Sequence, residues 1–118
     1  MAGTCSSVDS GAHIERLRAQ LGGPRDGALL RFSLGNALLA AGDAAAAAAE
    51  LRAAVGFDPV YSVAWKLLGR ALADAGDTAG AQAAWMQGVN VAEARGDVQA
   101  AKEMRVFLRR LQRAGGAT

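Results

Sequence analysis

Apolar and polar positions in this chain follow a period of 34 residues. Leu34, Ala37 and Leu38 return as Leu68, Ala71 and Leu72, Leu51 falls on Trp85, and Val55 returns as Val89. The small and polar punctuation keeps the same period, with Gly35 matched by Gly69 and Gly42-Asp43 by Gly76-Asp77. Superposing residues 28–61 on 62–95 without a gap leaves 11 identical positions. A fixed period of this length means stacked supersecondary units, none able to bury its apolar face alone. Strand-like alternation is absent, and Ala, Leu, Arg, Glu and Gln dominate over Val, Ile, Thr and aromatics. These are helix formers, so the chain reads as all-α, with about six helices.

Within each unit the pattern is helix, tight turn, helix: Ala28 to Ala41 and then Ala44 to Val55, separated by Gly42-Asp43. Glycine suits the left-handed position that ends a helix, and aspartate accepts hydrogen bonds from the free N–H groups that open the next. Gly42-Asp43, Gly76-Asp77 and Gly96-Asp97 therefore each read as a stop followed by a start. Asp58-Pro59 reads as an N-cap followed by proline at the first helical position, opening a helix from Pro59 to Ala75. The helix after Gly76-Asp77 runs to about Ala94.

Trp65-Lys66-Leu67-Leu68-Gly69, with Leu72, Gly76, Ala81 and Trp85 after it, resembles the tetratricopeptide repeat pattern. The first copy matches at Leu34, Gly35, Leu38, Gly42, Ala47, Leu51, Ala54 and Pro59. It departs at Arg31, where the family places a large apolar residue; the expectation is that the first repeat is more exposed there. Gly35, Gly69, Ala47 and Ala81 are expected where the two helices of a repeat cross, since a larger side chain would force them apart. The resemblance implies an antiparallel helix-hairpin solenoid in which one stripe of each repeat's first helix lines a concave surface. Here that stripe is Leu29, Phe32, Asn36 and Leu39, then Val63, Lys66, Arg70 and Ala73. Apolar residues beside Asn36, Lys66 and Arg70 suit an extended peptide or helix carrying an apolar anchor and a carboxylate. The carboxylate clamp of chaperone-binding relatives is not carried over, because Val63 and Leu67 occupy two of its positions.

Residues 28–61 and 62–95 thus form two full repeats of one domain spanning 12–113. One period before Leu51 and Val55 stand Leu17 and Leu21, so residues 12–22 read as the second helix of a degenerate preceding repeat. Residues 97–113 keep helical periodicity without the repeat signature, as a terminal capping helix does. Ala101, Met104, Phe107, Leu108 and Leu111 gather on one side of it, and Lys102, Arg105, Arg109, Arg110 and Arg113 mainly on the other. The Gly/Ser/Thr-rich residues 1–11 read as a disordered leader, and 114–118 as a frayed tail.

Composition narrows the chemistry. The chain has 118 residues, enough for one domain, and its 52% hydrophobic content is largely alanine, so the core rests on close helix approach. A net charge of +2 is far from the density that argues for nucleic acid. The basic side of the last helix could touch nucleic acid or an anionic membrane, but no aromatic residues interleave its charges, and a cap needs a polar outer face in any case. One histidine, His13, and one cysteine, Cys5, argue against an ordinary zinc site and exclude an internal disulfide, and no motif places a Ser or Cys nucleophile beside His13. No phosphate-binding glycine motif is present, and Asp43, Asp58, Asp77 and Asp97 are explained as caps. The expectation is a cytoplasmic protein-interaction adaptor, neither an enzyme nor a cofactor carrier. Nucleic acid and membrane are disfavoured as partners, and self-association through an uncovered end of the array stays open.

Overall fold

The computed structural model describes residues 11–116, and those residues fold into six helices and their turns. They are α1 (residues 11–18), α2 (Ala28–Ala40), α3 (Ala44–Phe57), α4 (Ser62–Asp74), α5 (Thr78–Arg95) and α6 (Val98–Gly116). From α2 onward each helix packs on the next, and α4 also meets α2 on one side and α6 on the other. The result is a row of hairpins in two layers, with α2, α4 and α6 in one and α3 and α5 in the other.

The joints are built as their residues dictate. Gly42, Gly76 and Gly96 all take positive φ, between 76° and 89°. After each, the aspartate N–H reaches back to a carbonyl of the finished helix: Asp43 to Leu38, Asp77 to Leu72 and Asp97 to Ala92, at 2.8–2.9 Å. Each aspartate side chain then accepts from an N–H of the next helix, Ala46, Gly80 and Ala100 respectively. Such caps are each worth about 1 kcal/mol.

Two glycines set the spacing inside the hairpins. A Cβ on Gly35 would stand 2.6 Å from Leu51 Cγ, and one on Gly69 would collide with the indole of Trp85. Leu51 and Trp85 are themselves one period apart, so both repeats solve their crossing the same way with different fillers. Around these contacts the core is lined by alanine: Ala47, Ala54, Ala64, Ala71, Ala81 and Ala92 are fully buried, with Leu34, Leu51 and Met104 as its largest fully buried side chains. A third close approach was not expected. A Cβ on Gly88 would strike Met104, and it would lie 2.9 Å from Trp65 Cβ, so this glycine lets α5 meet α4 and α6 at once.

Beyond shifts of one or two residues at the C-terminal ends of α2 to α5, four boundaries differ from the sequence reading. Asp58-Pro59 does not open α4. Asp58 accepts from Val60 N–H through its side chain and from Tyr61 N–H through its carbonyl, closing a turn, and α4 starts only at Ser62. Helix α1 stops at residue 18 rather than near Leu21, because Gln20 and Leu21 N–H bond three residues back and Gly22 turns the chain with φ 78°. Ile14, Leu17 and Leu21 still join the core. Helix α6 continues through Ala114 to Gly116, beyond the expected end at Arg113, since alanine favours helix and nothing before the glycine pair stops it. Of the expected leader only Gly11 is described, and it is helical; residues 1–10, with Cys5, and residues 117–118 lie outside the described residues.

The departure at Arg31 is also resolved. Arg31 is not an exposed substitute for an apolar residue: its guanidinium donates twice to Asp26 at 2.9 Å and once to Glu50 at 3.0 Å, and its side chain is 23% exposed. It also lies over the Phe57 ring, 5.9 Å from the centroid. The bidentate pair holds the Asp26 carboxyl at about 2, helped by a hydrogen bond from Gly22 N–H, and holds the guanidinium more firmly protonated. A charge cluster thus ties the α1–α2 turn to α3.

Candidate functional site

Stacking the hairpins leaves α2, α4 and α6 side by side on one face. The stripe expected to face a ligand lies on the first two of these helices, and none of its eight residues is fully buried. The structure distributes them unevenly. Leu29 is 69% exposed and Val63 38%. Phe32 lies tilted against Tyr61 with ring centroids 5.1 Å apart, so much of its ring is spent inside the chain. Asn36 and Leu39 of α2 meet Leu67 and Arg70 of α4 around a shallow cavity of about 180 Å³.

Lys66 is engaged internally. Its Nζ donates to Glu103 Oε2 of α6 at 2.6 Å, and Glu103 Oε1 accepts from Gln99 at 3.1 Å. The Lys66 hydrogen bond, then the one from Gln99, holds the Glu103 carboxyl below the usual range. The sequence reading offered Lys66 to a partner's carboxylate; in the fold a carboxylate of the last helix already occupies it.

Arg70 and Ala73 border a second and larger cavity of about 320 Å³, between α4 and α6. Asp74, Trp85, Phe107 and Arg110 complete its lining. Trp85 reaches it from α5: its indole N–H donates to Lys66 O at 3.0 Å, and its ring lies tilted against Phe107 with centroids 5.2 Å apart. The apolar surface of Trp85 and Phe107 continues along α6 past Leu111 to Ala114. Arg70 lines both cavities, so the two lie next to each other along the face of α2, α4 and α6 with this side chain as their common border.

The third wall was missed in the sequence. Helix α6 turns its basic residues to solvent as expected, Lys102, Arg105, Arg109, Arg110 and Arg113 all being exposed; what was missed is that Arg110 also borders the groove beside Phe107, and that Arg105 pairs with Glu93 of α5. The signal was the third Gly-Asp joint at Gly96-Asp97, which folds α6 back along α5 into the place a third first helix would take. There a helix has two neighbours, so part of its solvent side also borders the groove.

His13 is exposed. Among the described residues no three His, Cys, Asp or Glu side chains gather as a metal site, and no helix is long and apolar enough to cross a membrane.

No family model matches the chain. A TPR repeat-containing protein of Pseudomonas aeruginosa is 55% identical over 101 residues, spanning 86% of this chain and 96% of that protein. The solution structure of a Bordetella parapertussis protein matches with a TM-score of 0.74 and 51% identity, over 86% of this chain and 88% of that one. The crystal structure of the Sgt2 TPR domain from Aspergillus fumigatus matches 99% of this chain and 77% of that one, with a TM-score of 0.79 at 24% identity, a likeness of fold.

Proposed function

The chain belongs to the tetratricopeptide repeat family, whose members are generally non-catalytic interaction modules, and on that premise we propose that it is a cytoplasmic adaptor holding a segment of a partner protein in the groove of α2, α4 and α6. The observation that carries this reading is the run of two cavities joined at Arg70, open on the face where the first helices stand together. An extended peptide or a helix fits such a trough, with apolar anchors against Leu39, Leu67 and Phe107 and polar contacts from Asn36 and Arg70. Leu29, Phe32, Val63 and Ala73 extend the contact surface, while Lys66 reaches a partner only by leaving Glu103.

Affinity capture from a lysate of the cells that encode the protein tests this. One bait carries Asn36→Ala with Arg70→Glu; the other carries glutamine for Lys102, Arg109 and Arg113. The groove bait loses a specific protein that the parent retains, and the outer-face bait keeps it. The reverse pattern, or nucleic acid as the retained species, contradicts the reading.

A further inference from the structure

The two parts of the groove differ in what they offer. Between α2 and α4 the cavity is shallow and lined by one charged side chain, Arg70. Between α4 and α6 it is nearly twice as large, with Trp85 and Phe107 side by side and three charged groups, Arg70, Arg110 and Asp74. Trp85, 6% exposed, is held by its hydrogen bond to Lys66 O and by Phe107, so it backs a fixed aromatic wall whose open surface is mainly that of the half-buried Phe107. Among the described residues neither Arg70 nor Arg110 forms an ion pair, and one positive charge is left in excess over Asp74. Lys66, one turn away on α4, is already neutralised by Glu103 at 2.6 Å. The groove's unanswered positive charge therefore stands at the aromatic cavity and not at Lys66.

Resting on the groove reading above, we infer that this cavity is a socket for an acidic segment of the partner: one large apolar side chain seated against Trp85 and Phe107, flanked by a side-chain carboxylate held by Arg70 and Arg110. Apolar surface bounded by guanidinium groups matches that pair of features in a way that a bare phosphate surface does not, since a phosphate backbone would leave the aromatic wall unfilled. A carboxylate between two arginines gains charge-assisted hydrogen bonds, and the partner's apolar side chain seated beside it reduces their access to water. The carboxylate is assigned to a side chain within the partner's segment, and amidation of a peptide's C-terminus separates it from a terminal carboxylate.

The test is selection of a random dodecapeptide phage library on the intact protein. The winning peptides are then bound, by fluorescein anisotropy, to the parent and to Arg70→Gln, Arg110→Gln and the double variant. Both arginines are exposed, so the variants keep the parent's helical signal and melting temperature. A Trp65→Phe background leaves Trp85 as the reporter of the socket. The expected winners carry Asp or Glu beside one large apolar residue, lose about tenfold in affinity with each arginine, shift Trp85 emission on binding, and bind equally when their C-terminus is amidated. Winners without acidic residues, or winners indifferent to the double variant, overturn the socket while leaving the groove reading intact. A protein that selects no peptide overturns both. Binding only to single-stranded DNA or to phosphatidylserine vesicles, lost with the same arginines, overturns the socket in favour of a polyanion surface.

Discussion

The two full repeats share their joints and differ in their fillings. Both hairpins turn on Gly-Asp, and both bring their helices together at a glycine that faces the second helix, Gly35 on Leu51 and Gly69 on Trp85. At the opening of the first helix they diverge. Repeat one places Arg31 against Glu50 and Asp26. Repeat two has Trp65 and Ala84 at the positions one period after Arg31 and Glu50, with the Trp65 indole donating to Pro59 O at 2.8 Å. The lesson is that the period dictates backbone turns and crossing points, while the volume and charge that fill them are settled by local partners. Only repeat two, filled by a tryptophan that α6 also touches, gains an aromatic wall for the groove.

The strongest way to sharpen this difference is to remove the fillers. Trp85→Ala, at a site only 6% exposed and in contact with α4 and α6, is expected to cost about 3–5 kcal/mol. Trp65→Ala, half-buried, is expected to cost clearly less. Urea melts followed by circular dichroism measure both, and equal losses would break the distinction. Next come the crossings. Gly69→Ala drives a methyl into a rigid ring held by Lys66 O and Phe107, whereas Gly35→Ala meets the more pliable Leu51; both are expected to destabilise by about 1–3 kcal/mol, with Gly69→Ala the worse.

A smaller effect tests whether the Arg31 cluster and the Trp65–Ala84 arrangement are alternative fillings. Arg31→Trp strands Glu50, whereas Glu50→Ala leaves Arg31 its pair with Asp26, so the double variant, with no stranded Glu50, is expected to be more stable than the sum of the singles by at least about 0.5 kcal/mol. Strict additivity in a thermal-melt cycle would contradict that. The smallest effect is in pH. Asp26 titrates at about 2 in the fold against 3.8 as a free group. Its stabilisation is therefore full above 3.8 and is lost as pH falls from there through about 2. The melting-temperature gap between the parent and Asp26→Asn is expected to be constant near neutrality and to close over that acid window.

Where the fold was legible in the sequence, the physics is local. A Gly-Asp joint needs a left-handed residue and an N-cap, both specified by two adjacent residues, so all three joints could be read directly. Asp58-Pro59 misled because the same pair suits a turn as well as a helix start, and the Asp58 side chain took the turn's N–H. Arg31 was read as exposed because its partner Glu50 lies on the next helix and no local pattern announces a charge pair across a hairpin. The groove was half legible: the resemblance named the stripe on α2 and α4, and the structure brings Asn36, Leu39 and Arg70 of that stripe together. Glu103, Phe107 and Arg110 stayed hidden because their roles depend on where α6 lands. A helical wheel cannot show that α6 has α4 as well as α5 for a neighbour.

The central claim is that the face made by α2, α4 and α6 takes the partner. Photocrosslinking reads this face directly, with benzoylphenylalanine placed at Asn36 in the groove or at Gln82 on α5, both exposed positions. The account predicts one discrete protein adduct from Asn36 and none from Gln82, and it predicts that Arg70→Glu abolishes the Asn36 adduct. An adduct formed from Gln82 and absent at Asn36 would place the partner on the opposite layer and contradict the account.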